Sequence, residues 1–188
     1  METLAFKKKP LDLSTINIEG DRVKLLSINE SYTEAIFKEF TPEITRYMLP
    51  KPAEVIDETK VFISASLKGM KAGRELVLVI TASENGEFLG CCSLHGRSNP
   101  NTPEFGIWLK HSAHGKAYGL EAIKILGRWA VENIDFDYAI YPVDRANIPS
   151  RMIPESMGGV VIEEKLVKTM REDVLDELVY KIMPKALK

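Results

Sequence analysis

The chain has 188 residues, a formal net charge of −2, and 45% hydrophobic and 28% charged residues. This length is enough for one domain with a substantial core, and the charge balance provides no basic field that would favour nucleic-acid binding. No apolar run approaches the roughly 20 residues that a membrane span needs, and the N-terminal METLAFKKKP lacks the apolar segment of a signal peptide. We therefore expect no nucleic-acid or membrane partner and a cytoplasmic location.

Hydrophobic periodicity and turn residues divide the chain into an arm and one domain. Residues 1–20 are predicted to be an irregular arm, and residues 21–188 a single domain. The expected order is β-α-α-β-β-β-α-β-α-β-β, with strands near 21–27, 76–81, 88–94, 104–109, 138–143, 160–167 and 174–183. Helices are expected up to residue 40, over 55–71, from 118 onwards and within 144–159. This order predicts a mixed α/β (α+β) fold with a mostly antiparallel central sheet of about seven strands flanked by helices.

The two cysteines give information about the redox state of the protein's cellular compartment. Cys91 and Cys92 are adjacent in a predicted strand, so their side chains should point to opposite faces of the sheet. A disulfide between them is therefore not expected. A reducing cytoplasm is the simplest interpretation.

The stretch 104–122, EFGIWLKHSAHGKAYGLEA, has the pattern of a strand, a polar turn and a helix start. Its first half is rich in aromatic and aliphatic strand formers, and apolar residues at helical spacing follow from Tyr118. Gly115, Ala117 and Gly119 leave the backbone of the turn open to a ligand. Free N–H groups and the positive end of the helix dipole coincide at such a turn, which predicts an anion-binding site.

This stretch resembles the central motif of the GNAT (Gcn5-related) N-acetyltransferases, which that family writes as Arg/Gln-x-x-Gly-x-Gly/Ala. The segments EFGIWL and GKAYGLEA are similar to E-I-G-Y-W-L and G-K-G-Y-A-T-E-A of the ribosomal-protein-alanine acetyltransferase branch. Two residues depart from the motif: His114 stands at its first position, and Ala117 replaces its middle glycine. If that position requires a positive φ, alanine costs roughly 1 kcal/mol or more.

A second segment, residues 147–159, resembles the N-x-x-S…E-K-x-G-F motif of the same family. The match covers Asn147, Ser150, Glu155 and Gly158. Gly159 stands where the family has an aromatic residue, and Asp176-x-x-x-Tyr180 is similar to the D-x-x-x-Y of the branch. The resemblance spans about residues 21–183 and implies the GNAT fold, so that 21–188 is expected to be one acyl-CoA N-acyltransferase-like domain.

The resemblance also implies the chemistry. Acetyl-CoA is the expected cosubstrate, without a metal, and the acceptor is a primary amine of a protein N-terminus or a small molecule that attacks the thioester directly. The residues expected to bind CoA are Trp108, Leu109, His114, Gly115, Lys116, Ala117, Tyr118, Gly119, Leu120, Asn147 and Ser150. Lys116 would place a cation beside the phosphates, and a backbone N–H at Trp108 or Leu109 would stabilise the oxyanion.

Glu104 and Ser150 are the catalytic candidates. Glu104 begins the strand that leads into the proposed CoA loop, so its carboxylate could accept the ammonium proton. Ser150 could donate a hydrogen bond to the departing thiolate, because Pro154 stands where some branches of the family carry a tyrosine for this task. The alternative interpretations are a solvated strand-end carboxylate for Glu104, and a helix cap or surface hydroxyl for Ser150.

Other interpretations remain open from the sequence. The Cys92-x-x-His95 and His111-x-x-His114 spacings suit a zinc site, but no second cysteine pair or HExxH motif supports one. The domain could also be a non-catalytic acyl-CoA-binding sensor or partner domain. Neither the identity of the acceptor nor a choice between monomer and homodimer follows from the sequence.

Overall fold

The structure is a computed structural model that describes residues 2–8, 12–97 and 99–188. Its strands are β1 Asn17–Glu19, β2 Val23–Ser27, β3 Glu75–Ala82, β4 Phe88–His95, β5 Glu104–Leu109, β6 Ala139–Asp144, β7 Val160–Lys168 and β8 Val174–Ile182. Its α-helices are α1 Thr33–Glu39, α2 Ile56–Lys71, α3 Tyr118–Asn133 and α4 Ile148–Ser156. In the described part of the chain, no helix is both long and apolar enough to cross a membrane.

The strands form a sheet in the order β1-β2-β3-β4-β5-β6-β8-β7. Every neighbouring pair is antiparallel except β5 and β6. The mixed α/β class and the mostly antiparallel sheet predicted from the sequence are confirmed, with eight strands where about seven were expected. The last two strands form the expected antiparallel pair, and β8 lies between β6 and β7.

The parallel pair β5–β6 contains the main irregularity of the sheet. These strands are in register only where Glu104 faces Ile140. Beyond this point β5 continues to Leu109 and β6 to Asp144 without pairing to each other. The sheet is therefore split at its centre, and one edge of β5 is left without a neighbouring strand.

The helices cover both faces of the sheet. Gly69 of α2 packs against the side chain of Glu75 on β3, and Gly119 of α3 packs against Ile107 on β5. Glu75 and Gly106 lie on the same face of the sheet, whereas Ile107, as the next residue along β5, points to the other face. The helices α2 and α3 therefore pack on opposite faces of the sheet. Both helices bury apolar side chains at helical spacing against the sheet.

The segment predicted as an irregular arm is partly ordered, and this corrects the expectation for residues 13–19. A 3-10 turn spans Leu13–Thr15, and β1 pairs with β2. Leu4 and Leu13 are buried in the core. A strand of three residues is too short to show a period of two, so the pattern gave no signal for it. Residues 1 and 9–11 of the predicted arm lie outside the described residues.

Candidate active site

The loop before α3 has the backbone shape of an anion site. Gly115 has φ 73°, and Ala117 adopts the left-handed conformation with φ 59° and ψ 15° immediately before the first helical residue. No side chain of the described residues caps α3, so the N–H groups of its first turn keep their hydrogen-bonding capacity for a ligand. A Cβ on Gly115 would meet nothing within 4 Å, so the loop is open there.

An arginine that the sequence analysis did not identify holds this loop in place. Arg22 donates from Nε to Glu121 Oε2 (3.0 Å) and from Nη1 to the carbonyl oxygen of Lys116 (2.9 Å). Its guanidinium lies 5.3 Å from the ring centroid of Tyr118. Glu121 is thus paired within the first turn of α3, and its charge opposes a bound anion less than a free carboxylate would. Arg22 and Glu121 are 99 residues apart, so no local pattern indicates the pair.

The predicted CoA-binding residues of this loop have different environments. Lys116 is exposed, and Gly119 and Leu120 are at least half-buried and offer backbone rather than side-chain contacts. A Cβ on Gly119 would lie 3.3 Å from Ile153, so a small residue is needed there for packing. His114 Nε2 lies 2.9 Å from the carbonyl oxygen of Leu109, which requires the imidazole to donate its Nε2 hydrogen.

Backbone groups alternate in direction along β5. The N–H of Ile140 donates to the carbonyl of Pro103 (2.9 Å), so Pro103 directs its backbone groups toward β6. Because this direction alternates along a strand, the other odd-numbered residues of the segment also direct their N–H and C=O groups toward β6. A Cβ on Gly90 of β4 would overlap the carbonyl oxygen of Trp108, so residues of even number face β4. Of the two amides considered for the oxyanion, that of Leu109 faces the gap and that of Trp108 faces β4.

The side chain of Trp108 contributes to a cavity on the α2 face of the sheet. Its ring lies 4.9 Å from the ring of Phe40 and 5.8 Å from that of Phe88. The cavity has a volume of about 430 Å³, and its lining includes Trp108, Glu104, Tyr141, Asn147 and Ser150. Since Ser150 belongs to α4 and Glu104 to β5, the cavity reaches both sides of the gap between β5 and β6. This size suits a small molecule or the end of a peptide.

Ser150 is paired with a buried tyrosine. The Tyr141 hydroxyl lies 2.8 Å from Ser150 Oγ, and Asn147 Oδ1 accepts a hydrogen bond from the Ser150 N–H (3.4 Å) as the cap of α4. Burial raises the pKa of the Tyr141 phenol well above its usual value, although the bond to Ser150 opposes the shift. Tyr141 therefore stays protonated and can donate to Ser150, which frees the serine hydrogen for another acceptor. The sequence indicated a strand at Tyr141 but not this contact.

Glu104 on β5 and Glu177 on β8 are two of the acidic side chains that line the cavity. Glu104 Oε1 accepts two hydrogen bonds from Arg97, from Nε (3.0 Å) and Nη2 (2.7 Å). Glu177 on β8 lies 4.0 Å from Lys165 Nζ. Burial raises the pKa of the Glu177 carboxyl, the Lys165 ammonium lowers it, and the negative charge of Glu104 adds to the rise.

The residues weighed for zinc do not form a cluster. Cys91 and Cys92 are free and buried, and burial raises the pKa of both thiols. His111 and His114 lie near each other in the segment before α3, with ring centroids 5.7 Å apart. Within the described ranges, no group of three or more His, Cys, Asp or Glu side chains could hold a metal ion.

A family model for the acetyltransferase (GNAT) domain matches residues 22–160. The chain belongs to the GNAT acetyltransferase family. This GNAT protein is accordingly an acetyl-CoA-dependent N-acetyltransferase, and the resemblance stated from its two motifs is confirmed. The match covers the loop before α3, the gap and α4.

Solved structures share the fold of this GNAT protein. A GNAT acetyltransferase from Bacillus anthracis is 18% identical with a TM-score of 0.77, covering 90% of this chain and 99% of that one. RimL, a ribosomal α-N-protein acetyltransferase in complex with coenzyme A, is 15% identical with a TM-score of 0.77, covering 91% and 99%. MccE, a microcin self-immunity acetyltransferase in complex with acetyl-CoA and AMP, is 19% identical with a TM-score of 0.77, covering 87% and 93%. No curated protein sequence matches the chain.

Proposed function

We propose that this GNAT protein transfers the acetyl group of acetyl-CoA to a primary amine by direct attack in the gap between β5 and β6. The proposal rests mainly on the position of the gap, which joins the loop before α3 to the cavity. The gap begins beside the open loop at the N-terminus of α3 and leads into the cavity of about 430 Å³ on the other face of the sheet. Donor and acceptor can therefore enter from opposite faces and meet at the gap.

The donor would bind by backbone contacts and two cations. The pyrophosphate of CoA would accept hydrogen bonds from the loop and the first turn of α3, where the dipole also favours negative charge. Lys116 and Arg22 add positive charge beside it. The amide-rich pantetheine arm would pair with the free edge of β5 at Ile107 and Leu109 in the manner of an added strand.

The reacting groups follow from this placement. The N–H of Leu109 faces the gap, and it would stabilise the oxyanion that forms when the amine attacks the thioester. Ser150 can accept a hydrogen bond from the Tyr141 hydroxyl and would then donate its own hydrogen to the departing thiolate. Glu104 would attract and orient the incoming ammonium, with one carboxylate oxygen held by Arg97. The acceptor is proposed as a primary amine on a protein N-terminus or a small molecule.

The test combines turnover with donor binding. The wild-type protein should release CoA from acetyl-CoA only when an amine is added, and acetyl-CoA should raise its melting temperature. Heat stabilisation without turnover on any amine would contradict the proposal and would indicate an acyl-CoA-binding sensor instead.

The position of the donor is tested by a matched pair of lysine variants. Lys116→Ala should weaken acetyl-CoA binding by about 3- to 10-fold, the size expected for one charged contact that is partly exposed. Lys124→Ala removes the same charge from an exposed position further along α3 and should leave the affinity within twofold, on the order expected for a distant surface charge. Equal effects of the two changes in calorimetry would refute the loop assignment.

A further inference from the structure

A buried carboxylate–imidazole pair lies beside the cavity and takes no part in the function described so far. Glu75 begins β3, His95 ends β4, and the two face each other in register. His95 Nδ1 lies 2.8 Å from Glu75 Oε2, and the two side chains are 16% and 9% exposed. Both residues line the cavity. Ionisable groups are costly to bury, so a largely buried pair of this kind on a cavity wall calls for a functional explanation.

Two glycines shape the surroundings of this pair. A Cβ on Gly69 of α2 would overlap the Glu75 carboxylate, so the glycine makes room for the charged group. A Cβ on Gly106 of β5 would lie 3.8 Å from His95 Nε2 and 2.6 Å from Ser93 Oγ. Because Gly106 carries no side chain, the cavity reaches the middle of β5 here, and Ser93 Oγ and His95 Nε2 both border the space that a Cβ would fill. That position is next to the gap where the acetyl group is proposed to lie.

We propose that His95, oriented by Glu75, accepts the proton of the incoming amine. This assignment rests on the proposed acetyl transfer. An ionised Glu75 can only accept a hydrogen bond from Nδ1, so Nδ1 carries the hydrogen and Nε2 presents its lone pair. The same carboxylate stabilises the imidazolium that forms, which is how carboxylate–histidine pairs act in other hydrolytic and transfer enzymes.

In the proposed reaction, two protons leave the amine nitrogen. His95 Nε2 takes one proton from R–NH₃⁺, and the neutral amine attacks the carbonyl carbon of the acetyl group. The C–N bond forms and the C–S bond breaks, while the second proton on nitrogen passes to the departing thiolate through the Ser150 hydroxyl. The imidazolium then releases its proton to solvent. The products are the acetylated amine, the CoA thiol and one proton.

Glu104 is less suited to this step than His95. Its Oε1 already accepts both hydrogen bonds from Arg97, so this oxygen is engaged before the amine arrives. His95 and Glu104 face each other across β4 and β5. Glu104 can therefore hold the ammonium near the imidazole while His95 takes the proton.

The pH dependence of this step reflects every charged or titratable group around the imidazole. The groups that line the cavity with His95 are Tyr47, Glu75, Cys91, Cys92, Arg97, Glu104, Tyr141, Lys165 and Glu177. Of these, the Glu75 carboxylate is in direct contact with the ring. Removing this contact should therefore change the rate of the proton transfer and its dependence on the amine.

The experiment compares His95→Gln with His111→Gln, which makes the same change at an exposed histidine outside the cavity. The acceptors are n-butylamine, which is almost wholly an ammonium ion at neutral pH, and trifluoroethylamine, which is largely neutral there. We expect His95→Gln to lower kcat/KM for n-butylamine by about 100-fold or more at neutral pH, the usual range for a general base. The loss should shrink as pH rises and should be several-fold smaller for trifluoroethylamine. The acetyl-CoA affinity should not change.

A second variant separates catalysis from a structural role. Glu75→Gln keeps a hydrogen-bonding group beside Nδ1 but removes its charge, so it should give the same amine-dependent pattern with a smaller loss. An equal loss for both amines at every pH, in variants with unaltered melting temperature, would overturn the proposal in favour of a merely structural pair. A fully active His95→Gln would also overturn it. Wild-type protein that binds acetyl-CoA but acetylates no amine would instead refute the proposed function, and the proposal with it.

Discussion

Replacing Ala117 by glycine tests the backbone conformation of the loop before α3 through the strain energy of Ala117. Ala117 has φ 59° and ψ 15°, and it precedes the first residue of α3. An L-residue in this conformation brings its Cβ close to the following carbonyl oxygen, which costs about 1–2 kcal/mol. Glycine has no Cβ and removes this cost. Ala117 is exposed, so the change sacrifices no packed side chain.

The net gain in the free energy of unfolding is smaller than the strain energy that glycine removes, because glycine also increases the conformational entropy of the unfolded chain. That entropy offsets about 0.4–1 kcal/mol of the gain. We therefore expect Ala117→Gly to raise the free energy of unfolding by about 0.5–1 kcal/mol, which for a chain of this length is about 1–4 °C in melting temperature. Glycine can adopt the same left-handed conformation, so the acetyl-CoA affinity should change little.

Ala65→Gly is the matched control. Ala65 is exposed within α2, where glycine is expected to lower the free energy of unfolding by about 1 kcal/mol. Urea or thermal unfolding of the two variants should thus give shifts of opposite sign. A destabilisation by Ala117→Gly equal to that of Ala65→Gly would refute the left-handed conformation of Ala117.

Three further predictions concern the site and its surroundings. Ser150→Ala should lower kcat by about 10- to 100-fold without weakening acetyl-CoA binding, and an unchanged kcat would remove Ser150 from the mechanism. Burial raises the pKa of Glu177, so its charge destabilises the fold at neutral pH. Glu177→Gln should therefore raise the melting temperature there and lose this advantage as the pH falls to about 4, near the unfolded pKa of a glutamate; a lower melting temperature at neutral pH would contradict this. Cys91 and Cys92, with pKa values raised by burial, should react with iodoacetamide only after unfolding, and rapid alkylation of the native protein would show that they are accessible.

Local patterns predicted most of the secondary structure. The helix α3 was expected from Tyr118 and begins there, because small turn residues precede a strong helical period. The Asn85-Gly86 pair between β3 and β4 is a typical hairpin-turn sequence, and Gly86 has the positive φ of such turns. Strand β1 was not predicted because three residues are too few to show an alternating pattern. The parallel contact at Glu104 and the resulting gap depend on pairing across the sheet, which no single segment shows.

The candidate site was predicted only in part, for a related reason. The loop at Gly115 and Ala117 could be predicted because consecutive residues form it and their sequence pattern is recognisable. The side-chain pairs Arg22–Glu121, Tyr141–Ser150 and Glu75–His95 join different elements, so their contacts arise only when the sheet and helices assemble. A histidine seen only in a Cys-x-x-His spacing suggests a metal ligand, whereas its carboxylate partner becomes visible only in the fold.

The central claim is that acetyl-CoA donates its acetyl group to an amine in the gap between β5 and β6. The most direct measurement follows CoA thiol release and the mass of the amine together, with wild-type protein and the two small amines. We predict that thiol release requires both acetyl-CoA and amine, and that each thiol released is matched by one acetylated amine. Thiol release at the same rate without amine, or none with any amine, would contradict the claim.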